Sequence, residues 1–136
     1  MADNDNNNAE ILEWCARIKG IISKKTRIEL PKKCLIWHGS VRRTGAREKA
    51  TYGMISVKLP GSNKRTLKTV HRVAYMAHTG EINLPRECDV SHLCQNSLCV
   101  CIEHLSLEPR AVNNARKICK RRHECQGHGG FRNCLI

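Results

Sequence analysis

The sequence predicts a small α+β domain, with an antiparallel β-sheet and a strand–strand–helix unit stapled by two structural zinc sites. Three observations carry this expectation. Only 4% of the 136 residues are aromatic, so a core of large side chains would be thin, and such domains are often held by disulfides or metals. Nine cysteines are interleaved with histidines in two groups: Cys94, Cys99 and His104 at five-residue intervals, then Cys119, Cys125, His128 and Cys134. Short alternating segments, finally, are separated by a few stretches of helical period. Residues 9–136 read as one domain, with a sheet over about 30–70, a strand–strand–helix unit over 88–120 and a second metal module over 119–134.

Zinc is preferred to disulfides because imidazole is a good zinc ligand and has no part in a disulfide. An odd number of cysteines also cannot pair completely. The chain opens on acidic and polar residues rather than a secretory signal. The expectation is an intracellular protein with reduced thiols, nuclear in a eukaryotic cell.

Taken in order, residues 1–8 read as a disordered polar tail. Asn8 suits the cap of a helix running to about Gly20, with Ile11, Leu12, Cys15 and Ile18 near one face. Cys34–Trp37 is a short apolar strand. Residues 41–50 form a basic, glycine-containing loop. A strand over 51–59, a turn over 60–63 and a second arm over 64–70 make a hairpin, whose basic and small side chains could lie in a DNA groove. Residues 70–78 are helical, with Gly80 as the stop. Short strands follow at 90–93 and 105–107. Pro109 opens a last helix to about Lys120, with Val112, Ala115 and Ile118 on its apolar face.

The net charge is +12, and the excess is concentrated: Arg17 to Arg72 holds sixteen basic residues and two acids, Glu29 and Glu48. Such a field favours a polyanion, and nucleic acid before a membrane surface, because no basic helix with a bulky apolar face stands out. Candidate DNA contacts are Arg42, Arg43, Arg47, Lys58, Lys64, Arg65 and Lys68.

A structural zinc site takes four ligands. Cys94, Cys99 and His104 supply three. Cys34 is the best distant fourth, with Cys88 and Cys101 as rivals. The second group supplies four by itself, with His123 as an alternative to His128. Between the groups stand His92, on a strand, and Asn113, early in the next helix. If they face each other, the imidazole can take a proton from water, and the amide oxygen can hold a hard cation such as Mg²⁺. Taken singly, each is an ordinary strand histidine and helix-surface amide.

The run Ser91-His92-Leu93-Cys94, then Cys99, His104-Leu105, Asn113, Cys119, Cys125, Gln126, Gly127, His128 and Cys134, resembles the His-Cys box homing endonucleases of the ββα-metal (His-Me finger) nucleases. Cys34, Tyr52-Gly53 and His71-Arg72 fall in the order of further family landmarks. The resemblance implies a Mg²⁺-dependent endonuclease that cleaves double-stranded DNA at specific sites. His92 would be the general base and Asn113 the only protein ligand of the catalytic magnesium. Cys34, Cys94, Cys99 and His104 would hold one zinc, and Cys119, Cys125, His128 and Cys134 the other. The family's phosphate-gripping arginine falls best on Arg65, with Arg42, Arg43 and Arg47 as alternatives. Family members are homodimers acting on long, nearly palindromic sites. Only two residues follow Cys134 in this sequence, where the family has a tail reaching the other subunit. The expectation is therefore a homodimer built by another route, or a monomer that nicks. The alternative is a non-catalytic zinc-stapled DNA-binding protein. An RNA-directed protein is disfavoured by the scarcity of aromatic stacking platforms.

Overall fold

A computed structural model describes residues 2–44 and 50–136. In chain order the elements are α1 (Ala2–Lys24), β1 (Thr26–Glu29), β2 (Cys34–Trp37), β3 (Val41–Thr44), β4 (Ala50–Val57), β5 (Thr66–Thr69), α2 (Val70–Thr79), β6 (Cys88–His92), a 3-10 turn at Ile102–His104, β7 (Leu105–Pro109) and α3 (Arg110–Arg122). Every strand pairing is antiparallel: β1 with β2, β3 with β4 with β5, and β6 with β7. The class is α+β, and β6–β7–α3 is the strand–strand–helix unit.

Helix α1 is longer than its sequence signals suggest. It begins at Ala2 rather than at an Asn8 cap, so residues 2–8, read above as a disordered tail, continue the helix. Each residue added to an existing helix gains a hydrogen bond without a new nucleation cost. At the other end α1 passes through Gly20, because Ile18 and Ile22, one turn apart, are both buried. The stripe Ile11, Cys15, Ile18, Ile22 has the spacing of one helix face. Leu12 lies off that stripe and is 70% exposed.

The core forms where α1 meets α2 and the sheet. Trp14, Cys15, Ile18 and Ile22 pack with Trp37, Val57, Val70, Val73 and Met76. Helix α2 ends at Gly80, which takes φ 77° and returns its N–H to Met76. Gly53 on β4 is required by close approach. A Cβ there would meet Trp37 and Val70 at 2.5 Å.

Two further differences matter for the site. The basic loop expected over residues 41–50 is a strand at its start. Val41–Thr44 pairs with β4 in the register Arg42↔Tyr52 and Arg43↔Thr51. Its charged side chains suit a sheet edge. Strand β1 has only polar or exposed positions, so no hydrophobic pattern announces it. In α3, Pro109 occupies the cap position rather than the first turn, and the expected apolar face is not the buried one. Arg116 and Cys119 are buried, whereas Ile118 is 44% exposed. A buried ion pair draws Arg116 inward.

Candidate metal centres and active site

The loop between β6 and β7 is tied to β2 by its backbone. Trp37 N–H donates to Leu98 O at 2.9 Å, and Val100 N–H to Leu35 O at 2.8 Å. That docking carries Cys34, at the start of β2, to the loop. Cys34, Cys94, Cys99 and His104 converge with their ligand atoms all within 4.8 Å of one another, and all four residues are buried. Cys34 is thus the fourth member, and Cys88 and Cys101 stand outside the cluster. Cys34 Sγ and Cys99 Sγ lie 3.6 and 3.4 Å from His104 Nδ1. Tetrahedral zinc with ordinary bond lengths separates sulfur and nitrogen ligands by about 3.5 Å.

The sulfurs require a cation if they are to ionise together. Burial and the adjacent Cys94 push the Cys34 thiol up to about 11. A hydrogen bond from Cys99, helped by one from the Asn96 backbone, holds Cys94 down at about 5, and Cys99 is raised in turn. A single proton-free thiolate satisfies the group, and the rest must wait for a metal.

The second cluster is Cys119, Cys125, His128 and Cys134. Cys119 Sγ and Cys134 Sγ each lie 3.4 Å from His128 Nε2. Gly127 and Gly129 take φ of 99° and 63°, conformations that cost glycine little, and turn the loop back on itself. His123 instead ends α3, at φ 55°, and is no part of the cluster. Both donor sets fit zinc.

A buried ion pair anchors the second cluster, and Gln95 links it to the loop of the first. Arg116 donates through Nε and Nη2 to the two oxygens of Glu108, and through Nη1 to Cys134 Sγ at 3.2 Å. Gln95, at φ 64° in the first loop, donates to Arg116 O and to Cys134 Sγ.

His92 closes β6 beside Tyr52 and His71. The two imidazole centroids are 4.3 Å apart, and Tyr52 lies 5.6 Å from His71 and 6.5 Å from His92. Among the described residues, His71 Nδ1 and His92 Nε2 are buried without a hydrogen-bond partner, an arrangement that calls for explanation in a native fold. Burial first and Arg72 second hold His71 down at about 4, against a hydrogen bond to the Val90 backbone. Burial, then His71, hold His92 well below the usual range, against a hydrogen bond to the Cys99 backbone. Both rings are therefore neutral near pH 7.

Asn113, on the first turns of α3, accepts from Ser91 Oγ at 2.8 Å and donates to Asp89 Oδ2 at 3.2 Å. His92 and Asn113 line the same two clefts. One, of about 370 Å³, also has Tyr52, His71, Arg72, Asp89 and Arg110 on its walls. The other, of about 670 Å³, is walled by Lys117, Lys120 and Arg121.

Arg65 does not reach this centre. It is exposed, donates to Ser56 O at 3.1 Å, and lines a separate cleft with Trp14, Arg17 and Lys58. The arginines that share the smaller cleft with His92 are Arg72, named in the sequence only as a landmark, and Arg110. Among the other candidate DNA contacts, Arg42 and Arg43 are exposed on β3, Lys58 and Lys64 are exposed in the connection between β4 and β5, and Lys68 is half-buried on β5. Arg47 lies outside the described residues. Asp89, Glu108 and Arg116 carry no motif and were not identified from sequence. Lys117, Lys120 and Arg121 were missed as well, because their weight comes from facing His92.

A ββα unit pinned between two Cys₃His clusters defines a zinc-stapled scaffold of the His-Me finger type. A family model for the zinc-binding loop region of homing endonucleases matches residues 34–135, and the chain belongs to that family. The match begins at the first ligand of one cluster and ends one residue after the last ligand of the other. No curated protein and no solved structure matches the chain. Membership implies a nuclease-type domain with DNA as its substrate. Among the described residues, no helix is long and apolar enough to cross a membrane.

Proposed function

We propose that the protein is a Mg²⁺-dependent endonuclease that hydrolyses phosphodiester bonds in double-stranded DNA at preferred sites. The observation that carries this reading is His92 Nε2, a buried nitrogen without a partner among the described residues, on a side chain that shares a cleft with Asn113. A binding scaffold has no use for such an atom, which carries a desolvation cost.

His92 Nε2 takes one proton from a water molecule as that water's oxygen bonds to phosphorus. The bond from phosphorus to the departing 3′ oxygen breaks in the same displacement. Tyr52 and His71 pack against the His92 ring and fix its orientation. Asn113 would hold Mg²⁺, which when bound neutralises charge on the phosphate and on the leaving oxygen. Arg72, which lines the His92 cleft together with Arg110 and Lys117, would grip the scissile phosphate in place of Arg65. Exposed Arg42, Arg43, Lys58 and Lys64 meet the duplex through phosphates and base edges. A duplex-DNA substrate is in keeping with an activity inside the cell, in the nucleus of a eukaryotic host.

Incubation with a randomised duplex library and Mg²⁺, with sequencing of the new ends, tests the reading. Cuts that share one motif are expected. Cuts without a motif remove site specificity, and no cuts leave a DNA-binding module. His92→Ala should abolish cleavage and keep duplex binding and two zinc ions per chain. Cleavage at the wild-type rate in that variant overturns the assignment of the base.

A further inference from the structure

Arg65, remote from His92, stands in a second basic cleft that the mechanism above leaves unused. This cleft, of about 600 Å³, runs between α1 and the outer half of β4. Its walls carry Arg17 of α1, Lys25 just after α1, Lys58 just after β4 and Arg65 just before β5. All four are exposed, and none of the described residues that line the cleft is acidic. Four like charges in one groove repel one another, and no carboxylate on its walls offsets them. A bound polyanion does.

The sheet topology explains why the cleft exists. Strand β3 pairs with residues 50–53 of β4, and β5 pairs with residues 54–57. Past Gly53 the edge of β4 away from β5 therefore has no described strand beside it, and α1 stands across from it instead. Two bonds fix the helix there. Trp14 Nε1 donates to Lys58 O at 3.0 Å, and Gly61 N–H donates to Glu10 Oε1 at 3.2 Å. Arg17, less than one turn on from Trp14, is thereby held on the same cleft as Lys58. Lys25 Nζ lies 5.8 Å from the centroid of the Trp37 ring, within cation–π reach. Arg65 is steered by its bond to Ser56 O. The acids of α1 are sorted away from this groove. Glu10 and Glu13 line the neighbouring cleft around the hairpin turn, so the basic wall ends there.

Two features select the occupant. Exposed cations spread over four segments suit a linear array of phosphates rather than one small anion. Strands β4 and β5 also join this cleft to the catalytic one. Tyr52 and Thr69, at one end of the two strands, line the smaller His92 cleft. Lys58 and Arg65, at the other end, line this one. The six residues from Tyr52 to Lys58 span about 20 Å, which is about six base pairs of duplex.

We propose that this cleft is a second duplex-contact surface, where Arg17 and Lys25 grip phosphates of the DNA flank about six base pairs from the cut. It rests on the duplex-DNA substrate of the reading above and not on the cleavage chemistry. The test is fluorescence anisotropy titration of the zinc-loaded protein with a long mixed-sequence duplex, without Mg²⁺, over a range of salt concentrations. Arg17→Ala and Lys25→Ala should each lower the slope of log affinity against log salt by about 0.9, and the double variant by about 1.8. Arg17→Lys keeps the charge and should keep the slope. Lys19→Ala, on the same helix but beside His78 of α2, should keep it too. Two zinc ions per chain and unchanged helix content show that each variant is folded.

An unchanged slope in the double variant overturns the proposal. An equal fall in Lys19→Ala overturns it too, because net charge rather than the cleft would then govern binding. On a duplex that the wild type cuts, Arg17→Ala should raise KM and keep kcat, and the reverse split overturns the placement of Arg17 on the flank. A protein whose slope falls as expected but that never cuts keeps this surface and removes the nuclease reading. A protein that binds no duplex removes both.

Discussion

Arg116 Nη1 lies 3.2 Å from Cys134 Sγ while the rest of the guanidinium is clasped by Glu108, and neither charged side chain is more than 2% exposed. The second zinc cluster is thus anchored to β7 by a buried ion pair. Removing one member of such a pair leaves a bare charge in the core. Arg116→Met should therefore cost about 3–5 kcal/mol and weaken retention of the second zinc. Arg116→Met with Glu108→Leu should recover much of that cost, because two uncharged side chains leave nothing unpaired. Chemical denaturation at fixed zinc concentration measures both. A single variant within about 1 kcal/mol of wild type would show that the pair is peripheral.

His71 makes stability depend on pH with a definite sign. Its folded pKa, about 4, is below the ordinary 6.5. Below 6.5 the unfolded chain takes up a proton that the folded chain refuses. The stability this adds is complete above 6.5 and is lost as pH falls through about 4. The full span is on the order of 3 kcal/mol. Zinc ligands also weaken in acid, so the quantity to read is the gap between wild type and His71→Leu. The gap should shrink between pH 7 and pH 4.5, and a constant gap would show that His71 is not held neutral.

The two metal sites should exchange at different rates. All four members of the first are buried, whereas Cys125 and His128 of the second are half-exposed. A chromophoric chelator should take two zinc ions per chain in two phases, the faster from the second site. Cys125→Ser should remove the fast phase and loosen the C-terminal part, since metal binding contributes folding free energy. Single-phase release in wild type, or a Cys125→Ser protein that retains two zinc ions, contradicts this.

The metal sites were legible in sequence because ligand type and local spacing write them there. Cys34, sixty residues from its partner Cys94, was legible only as a candidate, since the backbone bonds from Leu35 and Trp37 to the loop are a tertiary fact. Strand β2 and helix α2 carried clear apolar patterns. Strand β1 and the strand at Val41 are exposed and charged, and only pairing reveals them. The buried Arg116 defeats the periodicity argument outright, because that argument sorts charge to the surface. Asp89 and Arg72 could not be placed, as nothing local says that they share a cleft with His92.

Helix α3 presents Lys117, Lys120 and Arg121 to the larger cleft beside His92, and this basic edge gives the last prediction. Each cation that neutralises a phosphate releases counterions from the duplex. The logarithm of duplex affinity should therefore fall linearly with the logarithm of salt concentration. Replacing one such residue should lower the slope by about 0.9. Lys117→Ala and Lys120→Ala should each show that change in fluorescence anisotropy titrations with a duplex. Lys24→Ala, on the last turn of α1 and away from that cleft, should not. The loss should be uniform across duplex sequences, because phosphate contacts position the protein without reading bases. A slope unaltered in Lys117→Ala and Lys120→Ala would detach α3 from the DNA interface, and the duplex would then have to approach His92 from the β3–β5 sheet alone.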